Sequence, residues 1–155
     1  MSTDQIEKRV LLHAPLHRVW RAISDSDEFG TWFGMKLEGP FRPGTQVRGV
    51  IVPTKVDAEV AAAQKAYEGH PVELIIERME PERLFSFRWH AGDSIDPTTL
   101  VVFALEKVAG GVMLTLTESG FDQIPIERRA KAFTANEGGW TKQMHLIEAY
   151  LAQTP

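Results

Sequence analysis

The stretch from residue 127 to residue 151 constrains the fold of this chain more than any other feature. Read at helical spacing, one stripe runs along it, formed by Ala130, Phe133, Glu137, Trp140, Met144, Ile147 and Leu151. The opposite side carries the charged residues Arg128, Arg129, Lys131, Lys142 and Glu148. Such a helix is about 35 Å long, enough to cross a small domain. Because strand-like segments precede it, we predict an α+β domain in which an antiparallel sheet folds around this helix.

The composition is that of one globular domain spanning residues 1–155. Hydrophobic residues make up 43% of the chain and charged residues 25%, and the formal net charge is −4. This charge does not favour nucleic acid or an anionic membrane as a partner, and no apolar run reaches the roughly 20 residues of a membrane span. The absence of cysteine excludes disulfides and thiolate chemistry. Together with a polar N-terminus, it leads us to expect a cytoplasmic protein.

Local patterns predict seven strands and two short helices before the long one. The helices follow the first strand: Leu16–Ser24 begins after Pro15, and a second short helix ends near Gly30. The predicted strands are residues 6–13, 35–38, 45–52, 72–79, 84–90, 98–107 and 112–119. Residues 53–70 break the pattern, and their helix-prone part, 58–67, indicates an inserted segment. This insertion is either a tolerated surface loop or a functional lid.

Several short motifs along nearly the whole chain carry a family resemblance. They are Ala14-Pro15, Val19-Trp20, Trp32-Phe33, Phe41, Pro43-Gly44-Thr45, Glu80-Pro81-Glu82-Arg83-Leu84, Phe87-Arg88-Trp89, Glu118-Ser119-Gly120-Phe121 and Gly139-Trp140. In this order they resemble START-like (SRPBCC, polyketide cyclase-like) domains related to the activator of the heat-shock-protein-90 ATPase. The resemblance implies a helix-grip fold, in which a curved sheet of about seven strands grips the C-terminal helix around an apolar cavity. Members of the wider superfamily bind lipids, sterols, hormones or polyketides, and some are aromatases or cyclases.

Glu118 is the candidate catalytic residue. Strand alternation places it on the same face as Leu114 and Leu116, so its carboxylate is expected among apolar groups, where it is a candidate acid or base. The alternative is a solvated or ion-paired position at the end of the strand. Arg88 and His90 lie on the opposite face of their strand from Trp89, so only a bulge would bring them to Glu118. The histidines lack metal-ligand spacing and no cofactor motif is present, so we expect no metal and no cofactor.

The expected binding site is a cavity between the sheet and the long helix. Its predicted lining is Trp32, Phe33, Phe85, Phe87, Trp89, Leu114, Leu116, Glu118, Trp140, Gln143 and Met144. For Trp140 the alternative is ordinary core packing, and Gly138-Gly139 would either kink the helix or let it approach Trp32-Phe33 closely. The first functional hypothesis is a module that binds a small apolar or aromatic ligand. The alternatives are a cyclase or aromatase that uses Glu118, and an interaction protein that docks a chaperone; a homodimer is also left open.

Overall fold

The computed structural model, which describes residues 4–91 and 95–153, contains the seven strands that the sequence predicts. They are β1 (Gln5–Leu12), β2 (Met35–Leu37), β3 (Gln46–Ile51), β4 (Pro71–Glu80), β5 (Leu84–Trp89), β6 (Thr99–Val108) and β7 (Gly111–Ser119). All pair antiparallel in one sheet, in the order β1-β7-β6-β5-β4-β3-β2. Each strand end lies within one residue of its predicted position. The predicted α+β class and helix-grip architecture are confirmed.

One face of this sheet forms the core, because its strands alternate between buried and more exposed positions. In β6 and β7 the buried positions include Val101, Phe103, Leu114 and Leu116, all fully buried. The pairing of β4 with β5 shifts register between Ile76 and Arg78, which marks a bulge. Bulges increase the local twist of a strand and bend it, which suits a sheet that curves around a helix.

The four α-helices lie at the predicted places, with one correction. They are α1 (Leu16–Ser24), α2 (Ser26–Phe33), α3 (Ala58–Gln64) and α4 (Ile126–Gln153). The second helix does not end near Gly30. It continues to Phe33 because Gly34 supplies the stop: at φ 103° it adopts the left-handed conformation that glycine tolerates, and its N–H donates to Gly30 O. Trp32 and Phe33 therefore belong to the last turn of α2 instead of a separate corner.

The buried face of α4 differs from the predicted stripe at two positions. Trp140, Met144, Ile147 and Leu151 are buried as expected, but Ala130 and Glu137 are exposed. Helical spacing allows either Asn136 or Glu137 to follow Phe133 on the inner face, and Asn136 takes that place because it finds a buried partner there.

The two adjacent glycines of α4, Gly138 and Gly139, are not positions of close packing. A Cβ atom at Gly138 or Gly139 would meet no atom of the described residues within 4 Å. Of the two alternatives that the sequence left open, the close approach to Trp32-Phe33 is therefore wrong, and both glycines face open space on the exposed side of the helix.

Candidate functional site

Glu118 sits at the centre of a buried hydrogen-bond network. Its side chain is fully buried. Four donors reach its two carboxylate oxygens: Trp89 Nε1 at 2.7 Å, Thr99 Oγ1 at 2.5 Å, Asn136 Nδ2 at 2.9 and 3.1 Å, and Trp140 Nε1 at 2.8 Å. These donors come from β5, β6 and α4, so one side chain of β7 ties the sheet to the long helix.

The chemistry of the four donors suits an ionised carboxylate. An indole N–H and the NH₂ of an asparagine can only donate, and a carboxylate with no proton is purely an acceptor. All four donors are uncharged, so hydrogen bonds hold the charge without an ion pair. Both oxygens already accept two or more contacts. The arrangement therefore fits a residue that orients its neighbours, above all the indoles of Trp89 and Trp140.

Arg88 and His90 do not join this network. Arg88 Nε donates to Glu77 Oε2 at 3.0 Å, and His90 Nδ1 lies 2.9 Å from Asp96 O. The bulge that the sequence hypothesis required lies in β4 and not in β5, so it does not turn either side chain toward Glu118.

Most of the predicted cavity lining is part of a closed aromatic core. Six of the predicted residues are fully buried: Trp32, Phe85, Phe87, Leu114, Leu116 and Glu118. The rings of Phe85 and Phe87 pack on each other and on further rings from α2 and β6. Centroid distances are 5.7 Å between Phe85 and Phe87, and 6.1 Å between Phe85 and Phe103. Met144 is also buried, at 6% exposure. These side chains fill the space between the sheet and the helix where the sequence hypothesis placed a cavity.

A groove of about 1200 Å³ opens beside this core, between β2–β4, α4 and residues 53–70. Three residues of the predicted lining contribute to it: Phe33, Trp89 and Gln143. Residues that the sequence analysis missed supply the rest of its apolar wall and its outer side, among them Met35, Leu37, Gly49, Ile51, Val72, Gln64, Tyr67 and His70. Phe33 and Trp89 meet edge to face with ring centroids 5.9 Å apart, and form the inner end. The groove is therefore shifted from the predicted site toward the edge of the sheet that the short strand β2 forms.

Gly49 explains part of the shape of this groove. A Cβ atom at Gly49 would lie 2.3 Å from the backbone oxygen of Lys36 on the neighbouring strand, so only glycine fits there. The glycine lets β2 approach β3 closely and places no side chain on the groove wall. A glycine inside a strand that also contains Val47, Val50 and Ile51 is a sequence signal of such a close approach.

Residues 53–70 cover the groove and attach to the body through polar contacts and through Val56 and Val60, which pack against the core. Neither α3 nor the 3₁₀ turn Lys65–Tyr67 buries a residue. Gln64 accepts from Thr54 N at 2.7 Å and donates to Phe33 O at 3.0 Å. Gln143 of α4 donates to the same carbonyl at 3.1 Å. The end of α2 is thus the point where the insertion and α4 meet.

A second attachment joins the start of α3 to α4. Asp57 accepts from the N–H groups of Glu59 and Val60, at 2.9 and 3.0 Å, and so caps the helix. Its other oxygen lies 3.2 Å from His145 Nε2. The Val60 N–H and then the His145 side chain hold the pKa of Asp57 below its ordinary value of 3.8.

Within residues 4–91 and 95–153, no group of three or more His, Cys, Asp or Glu side chains is placed to hold a metal ion. No helix in the same ranges is both long and apolar enough to cross a membrane.

The fold and its connections define a START-like domain of the helix-grip type. The family model described as "Activator of Hsp90 ATPase homolog 1-like protein" matches residues 13–152. Since this match spans nearly the whole chain, the protein belongs to that family. The comparison with curated proteins finds no match.

Solved structures share this fold at low sequence identity. A protein encoded by gene BPP1335 from Bordetella parapertussis is 25% identical, with a TM-score of 0.73 over 100% of this chain and 78% of its own. Protein MLL2253 from Mesorhizobium loti is 19% identical, with a TM-score of 0.74 over 97% of this chain and 98% of its own. DynU16, a protein in the dynemicin biosynthetic locus, is 23% identical with a TM-score of 0.70 over 96% of this chain. This chain spans about half of DynU16, 47% of its length.

Proposed function

We propose that this protein binds a small apolar or aromatic ligand in the groove between β2–β4, α4 and residues 53–70. The observation that supports the proposal is the groove itself: about 1200 Å³ in volume, with an aromatic inner end at Phe33 and Trp89. Ligand sites in proteins have volumes of this order and combine apolar walls with a few polar groups. The polar groups here include the side chains of Gln64, His70 and Gln143, and charged side chains also line the groove: Lys36, Glu38, Arg48 and Glu73.

In this proposal Glu118 acts on the ligand only through Trp89. The carboxylate is not among the groove residues, but it holds Trp89 Nε1 at 2.7 Å and so sets the angle of the indole that faces the groove. A fixed aromatic wall lowers the entropy lost when a flat ligand binds.

The geometry favours binding over the cyclase or aromatase alternative. That alternative requires Glu118 to exchange a proton with a substrate, and a general acid or base must lie within hydrogen-bond reach of the reacting group. Here four protein donors occupy both oxygens and the side chain is fully buried.

A groove-filling variant tests the proposal. Val72 lines the groove from β4, so Val72→Trp is expected to occupy part of its volume. The probe is N-phenyl-1-naphthylamine, whose fluorescence rises in an apolar site. We expect saturable binding to the wild type and at least about tenfold weaker binding to Val72→Trp, because the larger side chain takes the ligand's space.

The matched control is Val102→Trp, which makes the same change on the other face of the sheet. Val102 alternates with the buried Val101 in β6 and does not line the groove. Its binding curve is expected to match that of the wild type. Equal probe binding by Val72→Trp and the wild type would show that the groove is not the binding site.

A further inference from the structure

Gln143 carries an unusual buried acceptor at the inner end of the groove. Its Nε2 donates to Phe33 O at 3.1 Å, and this contact fixes the orientation of the amide, because a carbonyl oxygen needs a donor. The Oε1 atom is therefore turned away from Phe33. It is buried and accepts no hydrogen bond from any residue in the described ranges.

An unpartnered buried oxygen is uncommon in a native protein and calls for an explanation. The described residues contain one other case, Ser86 Oγ, which lies outside the groove lining. Gln143 differs because it lines the groove next to two aromatic rings, Phe33 and Trp89. The same place thus offers aromatic surface and a neutral acceptor without a partner among the described residues.

We propose that the ligand is a planar aromatic molecule with an O–H or N–H donor on its edge, and that this donor pairs with Gln143 Oε1. This inference rests on the proposed function and adds the chemical class of the ligand. The ring would pack against Phe33 and Trp89 while the edge donor reaches the amide oxygen. A carboxylate at this end of a ligand would place a second acceptor against Oε1 and is disfavoured.

Selectivity of this kind has a known physical origin. When a site contains a buried polar group, a ligand that lacks the matching partner leaves that group unpaired and binds more weakly. A pair of ligands that differ only in the donor therefore reports on Gln143 directly. The probes are 2-naphthol, which has a hydroxyl donor, and 2-methoxynaphthalene, in which a methyl group replaces the hydroxyl proton.

The experiment measures the affinity of both probes by calorimetry at neutral pH. Wild type is expected to prefer 2-naphthol by at least about tenfold. Gln143→Met keeps a similar side-chain volume but loses the acceptor, so the preference is expected to fall to within about twofold. Gln143→Leu, which also lacks the acceptor, is expected to lose the preference in the same way. Gln123→Leu, at an exposed position away from the groove, is the control and should behave as wild type.

The outcomes separate this inference from the proposed function. Equal affinity of the wild type for both probes, with binding that Val72→Trp weakens, would overturn the role of Gln143 and leave the groove as the binding site. A preference for 2-naphthol that persists in Gln143→Met would also overturn it. If neither probe nor N-phenyl-1-naphthylamine binds, the proposed function fails and the inference fails with it.

Discussion

The concave face of the sheet is covered differently over its two sides. Over β5–β7, helices α2 and α4 bring aromatic rings into contact with those of the strands, and Phe87, Phe103 and Trp32 are fully buried. Over β2 and the adjoining ends of β3 and β4, the cover is residues 53–70, whose helix α3 buries no side chain. The first side is a filled core, and the second side is a groove of about 1200 Å³.

The difference separates the part of the fold that supplies stability from the part in which we propose that a ligand binds. Dense ring packing over β5–β7 supplies the apolar burial that holds the domain together. The cover over β2–β4 is attached by hydrogen bonds from Gln64 to Phe33 O and from Thr54 Oγ1 to Trp32 O, by the contact of Asp57 with His145, and by Val56 and Val60, which are partly buried against the core. Glu118 and Trp89 lie at the border, because Trp89 belongs to the Glu118 network and also faces the groove.

The largest expected loss of stability comes from a change in the filled core over β5–β7. Phe87→Ala removes a fully buried ring that lies 5.4 Å from Trp89 and 5.7 Å from Phe85, measured between centroids. We expect the free energy of unfolding to fall by about 3–5 kcal/mol, because a cavity replaces the ring. Urea denaturation measures the change.

Tyr67→Ala is the matched change on the groove side. Tyr67 is 61% exposed, so its loss should change the free energy of unfolding by less than about 0.5 kcal/mol. Similar losses in the two variants would contradict the division into a filled and an open side.

The second expected loss of stability concerns Glu118, which lies between the filled core and the groove. Glu118→Met keeps a similar volume but leaves the donors of Trp89, Thr99, Asn136 and Trp140 without their acceptor. We expect a loss of about 3 kcal/mol, since buried donors that lose a charged partner are costly. Urea denaturation measures the loss, and tryptophan emission should shift because two indole N–H groups lose their partner.

Thr99→Val provides the graded comparison, because it removes one donor and leaves the carboxylate with three. Its expected cost is about 1 kcal/mol. If Glu118→Met were as stable as the wild type, the hydrogen bonds of Glu118 would not help to hold β5, β6 and α4 together.

The third effect tests how loosely the groove cover is attached. Gln64→Ala removes the bonds to Thr54 and Phe33, so amide hydrogens of α3 are expected to exchange about five to ten times faster. Hydrogen exchange followed by mass spectrometry measures this, with β6 as the slow reference. Lys65→Ala, which alters an exposed neighbour, should leave the exchange of α3 unchanged. A change of equal size in β6 would show that the cover and the core open together.

The sequence predicted the fold better than the site, for a physical reason. Strand ends, the helix after Pro15 and the position of Glu118 on the inner face follow from local periodicity, which a single chain displays directly. Those features were correct to within a residue or so. The end of α2 was missed because the stop signal was Gly34 and not Gly30, and both are glycines.

Local periodicity did not predict the position of the groove in the same way. Phe85, Phe87 and Trp89 share one face of β5, and nothing in that pattern tells a filled core from an open cavity. Whether the space is filled depends on α2. The centroid of its Phe29 ring lies 6.3 Å from that of Phe87. Likewise Asn136 and Glu137 both fit the helical stripe, and the choice depends on Glu118, which is 18 residues away from Asn136. Packing between distant segments decides such cases.

The smallest expected effect is the ionisation of Asp57, at the attachment of α3 to α4. Its pKa lies below the ordinary 3.8, so its carboxylate supports the folded contact above that pH and loses this role as the pH falls through the lowered pKa. Carbon-detected NMR titration of Asp57 measures the value. His145→Gln is expected to raise it toward 3.8 without reaching it, because the larger cause, the Val60 N–H, is retained. A pKa at or above 3.8 in the wild type would show that Asp57 does not fasten the groove cover, and would leave Gln64 as its side-chain attachment to Phe33 O at the end of α2.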